Sequence, residues 1–332
     1  MAESNKQAEA APGAAEEAGG SLLDQLVNSA RIKQGDDAYS ITRHGIEAFV
    51  SQLLEPQRSV ERVTQATVDD MIADLDKKLC AQVDSILHHP DYQKLESAWR
   101  SLKFLVDRTN FRENVKIQML SVSKSKLLDD FQDAADITKS GLYKNLYTAE
   151  YGQFGGQPFG AMIGNYEFGP GGQDIKLLQY MASVAAMSHA PFIAATAPEF
   201  FGVESYEQLP NLKDLASVFE GPQFVKWNAF RETEDARYVG LTLPHFLLRV
   251  PYSADTVPTK KFNYKEDVSG GNNSFLWGNA AFAFASRLTG SFADYRWCAN
   301  VIGPQGGGAV EDLPVYTYES MGELQNKIPA EV

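Results

Sequence analysis

Residues 177–198 read LLQYMASVAAMSHAPFIAATAP, 22 positions without a formally charged side chain. A run of that length could cross a bilayer. Gln179, Ser183, Ser188 and His189 lie within it, however, and Pro191 interrupts it. Proline has no N–H to give a helix. The run therefore divides into a helix over 175–187, a break at Ala190-Pro191 and a short strand over Phe192–Thr196. The helix is apolar on every side, which places it inside a folded body and not on its surface.

Outward from this unit, helical and strand patterns alternate. Val115, Ile117 and Met119 alternate as a strand, with Leu120 and Val122 following in shifted phase. A polar helix over 124–134, a segment over 142–147 and an apolar strand near 159–163 come next. Downstream lie short helices over 212–219 and 222–230, and one long strand candidate over 238–243 with 246–250. A helix over 274–287 follows, with Phe275, Leu276, Trp277, Ala280, Ala281, Phe282 and Phe284 apolar nearly all round. Two buried helices among alternating strands predict an α/β (α+β) fold: a helical N-terminal segment, then a mixed-sheet core flanked by helices. No internal repeat is present.

The N-terminal third is helical. Residues 67–89 carry a stripe of Val68, Met71, Ile72, Leu75, Leu79, Val83 and Ile86, with Cys80 on its flank as a small apolar residue. His88-His89-Pro90 ends it, and a second helix from about Asp91 places Tyr92, Leu95, Trp99, Leu102 and Val106 in a narrow stripe. Together they read as a helical hairpin. Further upstream Ser21 can cap a short helix over 21–32, with Asp24 favouring its positive end. Its Leu22, Leu23, Leu26, Val27 and Ala30 fall within an arc of about 140°. Gly35-Asp36-Asp37 ends it, and Ile46, Phe49, Val50, Leu53 and Leu54 line another helix stopped by Pro56. Residues 1–20 offer no apolar face to offset the entropy of ordering them and read as a disordered tail. The expected organisation is a tail over 1–20, a helical segment over 21–56 and a core over 57–332.

Composition narrows the function. Of 332 residues 44% are hydrophobic and 22% charged, a globular balance. Thirty basic against 43 acidic residues give a net charge of -13, which opposes nucleic-acid or anionic-membrane binding because phosphate neutralisation needs a basic surface. Two cysteines, Cys80 and Cys298, cannot build a disulfide framework or a cysteine zinc cage, and both read as core residues. With no secretory signal, a cytoplasmic location is expected.

No catalytic pattern emerges. Gly169-Pro170-Gly171-Gly172 precedes a helix as a phosphate-cradling turn would. Neither phosphate-loop nor dinucleotide fingerprint is present, and Asp174 makes an ordinary acidic helix start. Gly303 to Gly308 leads into acidic Glu311-Asp312, a poor neighbour for phosphate. The five histidines lack metal-ligand spacing, so no metal or cofactor is expected. Cys298 with His245 could form a thiol–imidazole pair, which leaves an α/β hydrolase or transferase as the alternative reading.

Several strings carry a specific resemblance: SLLDQLVNSAR at 21–31, HPDYQKLESAWRSLKFLVDR at 89–108, YKNLYTAEYG at 143–152 and QPFGAMIGNY at 157–166. APFIAATAPEFF at 190–201, LLRVPY at 247–252 and YRW at 295–297 complete the set. From about Ser21 onward the chain resembles the large subunit of the contractile sheath of bacterial type VI secretion systems, the TssC/VipB family. The resemblance implies a structural part, not an enzyme. Members of that family pair with a small sheath subunit, and the heterodimers stack into a helical tube around ring-shaped inner-tube hexamers and act with baseplate components, so the same partners are expected here. Contraction drives the inner tube outward, without direct membrane insertion by the sheath. The resemblance further implies that an AAA+ unfoldase recycles contracted sheath by gripping an N-terminal helix; the matching helix here is 21–32, and Leu22, Leu23, Leu26 and Val27 would be its apolar anchors. The acidic balance would tune contacts in extended and contracted states.

Chains of the family run beyond Val332, so this one is expected to keep partner-helix contacts but to form no competent sheath. Leu23→Asp combined with Leu26→Asp is expected to abolish unfoldase binding in a pull-down, and retained binding would remove the assignment of the 21–32 helix.

Overall fold

The computed structural model describes residues 45, 65–259, 262–320, 323–327 and 330–331. The expected tail over 1–20 and the helices over 21–32 and 46–54 lie outside the described residues. The chain divides into two compact units, 1–73 and 74–332. Of the first, the described residues are Gly45 and the opening turns of a helix.

That helix is α1 (Gln65–Leu87), followed directly by α2 (Pro90–Asp107). His89 caps α2, its Nδ1 accepting from the Asp91 N–H, and Pro90 stands at the first helical position, where its missing N–H is no loss. Ser123 caps α3 (Lys124–Asp133) in the same way. Then come β1 (Met162–Phe168), α4 (Gly172–Ser188) and β2 (Phe192–Thr196). α5 (Val225–Arg231) and β3 (Val239–Thr242) follow. The three strands form one parallel sheet in the order β1-β2-β3. α4 supplies the crossover that parallel neighbours require. Every residue of β2 is buried, and α4 buries Ile175, Leu177, Leu178, Met181, Ala182, Val184 and Ala185. Phe168, Phe192, Phe200 and Phe230 complete this core.

A second pairing is antiparallel: β4 (Phe246–Arg249) with β5 (Leu276–Gly278). α6 (Ala280–Tyr295) starts immediately after it, and β6 (Tyr316–Ser320) pairs with β7 (Glu323–Lys327) as a separate hairpin. The sheets are therefore parallel at the centre, with antiparallel pairs apart from it.

Several expected boundaries move, each for a physical reason. Residues 115–122 form no strand and join no ladder, and Met119 and Leu120 are exposed. The strand near 159–163 instead runs Met162–Phe168, because its ladder with β2 continues past the apolar residues through Glu167. The candidate over 238–250 splits at Leu243-Pro244, where proline withholds a ladder donor. Its halves, β3 and β4, enter different sheets. The helix over 274–287 begins as a strand, since Leu276 and Trp277 pair with β4. The helix proper starts where the Asn279 side chain accepts from the Ala281 N–H. Cys80 is half-buried as expected of a helix flank, but Cys298 is exposed and is not a core residue. Among the described residues no helix is long and apolar enough to cross a membrane.

Candidate assembly surface

On α2 the apolar residues Tyr92, Leu95, Trp99, Leu102 and Val106 recur at spacings of three and four, a heptad a/d seam. Such a stripe ordinarily faces the core of its own chain. Here it faces away. Leu95 is 57% and Trp99 58% exposed, and Tyr92 and Val106 are exposed too. The face packed on the body, about 180° round the helix, consists of Ser97, Ser101, Phe104 and Leu105. Ser97 Oγ donates to the Trp277 carbonyl at 2.6 Å, and Ser101 is fully buried. Phe104 packs on Phe246 with ring centroids 4.9 Å apart, and Leu105 clusters with Phe282 and Ala285 of α6. Two serines in place of larger side chains let the backbone of α2 approach β5. On α1, Leu75, Leu79 and Ile86 are likewise exposed.

The orientation of α2 is held by a charge network. Arg249, on β4 and nearly buried, gives both terminal nitrogens to Glu266: Nη1 to Oε2 at 2.6 Å and Nη2 to Oε1 at 3.0 Å. Its Nε donates to Glu96 Oε1 of α2 at 3.1 Å, and Arg100 Nε donates to that same Glu96 oxygen at 2.7 Å. Glu266 also accepts from the Tyr252 N–H at 2.9 Å, with His88 Nε2 at 3.3 Å. Arg100 reaches the Tyr252 hydroxyl, and the Arg249 guanidinium lies over the Tyr252 ring. Asp84 of α1 accepts from the Tyr264 hydroxyl at 2.6 Å. Burial is the largest influence on Glu266 and raises its pKa. Hydrogen bonds from Arg249, Tyr252 and His88, with the Arg249 charge, outweigh it and hold the carboxyl below its usual range.

A second clasp centres on His245. Its Nδ1 lies 2.7 Å from Glu331 Oε2 and its Nε2 3.2 Å from Glu167 Oε1. The Glu331 N–H donates to the His245 carbonyl at 3.0 Å, and Ala330 bridges to Phe246, so residues 330–331 are strapped along β4. Burial is the largest influence on the imidazole and lowers its pKa, but the two carboxylates together raise it to about 9.

The residues that the sequence singles out for possible chemistry find ordinary partners. Asp174 Oδ2 accepts from the Gly169 N–H and from Lys124 Nζ, both at 2.7 Å, so a carboxylate of the chain occupies the glycine turn. In the loop over 303–308 the Gly306 and Gly308 amides both donate to the Gly303 carbonyl. Gly307 there has φ of 86°, and a Cβ on it would meet the Asn300 carbonyl at 2.5 Å. Partial desolvation raises the Cys298 thiol although the residue is largely exposed, and its Sγ lies 3.6 Å from the Leu288 carbonyl, while His245 is engaged by carboxylates. The proposed unfoldase anchors Leu22, Leu23, Leu26 and Val27 lie outside the described residues. Sequence reasoning passes over Glu96, Arg249 and Glu266. The signal is present in LLRVPY, where an arginine amid buried apolar residues requires an acidic partner.

An apolar seam turned outward on a braced helix has the character of an interaction surface. The family described as "VipB: EvpB/VC_A0108, tail sheath N-terminal domain" matches residues 69–332, and the chain belongs to it. The chain is 40% identical over 298 residues to the type VI secretion system sheath protein TssC1 of Pseudomonas aeruginosa. The match covers 87% of this chain and 60% of that relative's length. The family is one of sheath structural proteins, not enzymes.

Two outcomes are expected. Arg249→Met leaves Glu266 buried without its cation and should cost about 3–5 kcal/mol in urea unfolding. Adding Glu266→Gln should recover most of that loss. For His245, the folded pKa is raised above the unfolded value, so its stabilisation is full below pH about 6.5 and is lost as pH rises through about 9. His245→Gln should therefore melt about 5 °C below the parent near pH 6, with the gap closing by about pH 10.

Proposed function

We propose that the chain is the sheath-domain part of the large subunit of a type VI secretion contractile sheath. The observation that carries this reading is the outward a/d seam of α2 on a member of the tail sheath family. A strict heptad seam calls for a second helix whose own apolar knobs fill its holes. In this reading the helix comes from the small sheath subunit, and Leu79 and Ile86 of α1 extend the contact. Heterodimers stack into a helical tube around the inner-tube hexamers, and the stroke draws on assembly energy. Neighbouring heterodimers and baseplate components are the further contacts.

Residues 57–332 are the sheath-subunit core. Residues 21–56 form the helical segment whose Leu22, Leu23, Leu26 and Val27 meet the AAA+ recycling ATPase, and 1–20 form the tail. The protein acts in the bacterial cytoplasm, without nucleic acid, cofactor or membrane insertion. The charge of -13 supports the first of these exclusions.

Leu95→Glu with Trp99→Glu tests the pairing. Both side chains are exposed, so the melting temperature should hardly change, whereas truncating central anchors of an interface costs about 2 kcal/mol or more each. Co-purification with a co-produced small subunit should fall at least about thirtyfold. Unchanged recovery would remove α2 as the pairing surface.

A further inference from the structure

We infer that Tyr264 is a positioning residue: its hydroxyl, bonded to Asp84, brackets α1 and fixes the direction in which the apolar side of that helix is presented to the partner of the α2 seam. This role rests on the pairing proposed for α2 and supplies what holds α1 ready for it.

Cys80, Asp84 and His88 are spaced four apart, so they share one side of α1 at its C-terminal end. Leu75, Leu79 and Ile86 lie about 140–180° round from Asp84 at 100° per residue. All three are exposed. The opposite, polar side is tied down, and its ties end on one short segment. Cys80 Sγ lies 3.5 Å from the Asn263 carbonyl. Asp84 Oδ1 accepts from the Tyr264 hydroxyl at 2.6 Å and from the Asp267 N–H at 3.4 Å. His88 Nε2 lies 3.3 Å from Glu266 Oε1. Among the described residues no other side-chain hydrogen bond links residues 80–88 to another element.

That segment belongs to a long connection. β4 ends at Arg249 and β5 begins at Leu276, and the two pair antiparallel. Antiparallel neighbours can be joined by a two-residue hairpin. Here residues 250–275 leave the sheet, reach α1 and return, with Gly271–Ser274 as the one helical turn among their described residues. Loops longer than about 12–15 residues without secondary structure of their own are uncommon and usually functional. The root of this one is firm. Tyr264 is buried, its ring 6.0 Å from Tyr252 and 5.8 Å from Phe262, and Arg249 gives Glu266 two hydrogen bonds. Burial first, then the bond to Asp84, raises the pKa of the Tyr264 hydroxyl, which therefore stays a donor at neutral pH.

Of these ties the Tyr264–Asp84 bond is the one that sets direction. His88 stands at the turn into α2 and restrains only the end of the helix, and a thiol such as Cys80 is a weak donor. A hydroxyl donating to a carboxylate is short and charge-assisted, and this one is rooted in a packed ring. Without the hydroxyl the ring packing survives, but α1 is left on weaker contacts and can swing. Leu75, Leu79 and Ile86 would then have to be ordered at the moment of binding. Holding them in place beforehand avoids that loss of affinity.

The test compares Tyr264→Phe with the unsubstituted chain by amide exchange and by co-purification with a co-produced small sheath subunit. Exchange over residues 80–88 should speed at least about tenfold while exchange in β2 stays unchanged. No change over 80–88, or an equal rise in both regions, overturns the bracket. Asp84→Asn keeps an acceptor oxygen and should stay within about twofold of the parent, whereas Asp84→Ala should behave as Tyr264→Phe does. In the capture assay Leu79→Glu should lower recovery at least about tenfold in the parent but no more than about twofold further in Tyr264→Phe. Equal losses in both backgrounds overturn the role of Tyr264 in capture and leave the α2 pairing intact. A parent that captures nothing refutes the pairing, and the exchange comparison alone then decides the bracket.

Discussion

A guanidinium cannot shed its proton inside a protein, so Arg249 on β4 must find carboxylates wherever it is buried. It finds Glu266 within the following segment and Glu96 on α2. The second of these sets the rotation of α2. With Glu96 held at the flank, and Ser97 and Ser101 against β5 and the body, the seam of Tyr92, Leu95, Trp99 and Val106 is left facing solvent. Removing one partner of such a network is costly, whereas replacing the whole by apolar residues often is not. What the network contributes is therefore orientation more than stability.

That orientation explains an otherwise unfavourable surface. Folded monomers rarely leave a continuous apolar stripe in water, and such stripes mark interaction sites. The polar attachment and the apolar display are two sides of one helix. Serine contacts and ion pairs hold it to its own chain, which frees its larger apolar residues for another. The His245 clasp follows the same logic at the end of β4, where paired carboxylates keep a buried imidazole charged and strap residues 330–331 to the strand.

Much of the architecture is legible in the residues. The strand at Phe192–Thr196 and its apolar helix are readable because each is buried on all sides, so its pattern owes nothing to which face meets solvent. Helix starts at Pro90 and Lys124 are readable from local capping chemistry. The readings that shift depend on partners remote in sequence. Leu276 and Trp277 are strand residues because β4 lies beside them, and 115–122 forms no strand although its residues alternate.

The seam shows where the division falls. Its spacing along α2 is a property of the sequence alone, since 3.6 residues per turn places those five side chains on one stripe in any helix. Whether that stripe looks inward or outward is not, because periodicity carries no reference direction. Only the packed structure, through the demand of buried Arg249 for Glu96 and the close fit of Ser97 and Ser101, turns it outward and makes it a surface for assembly.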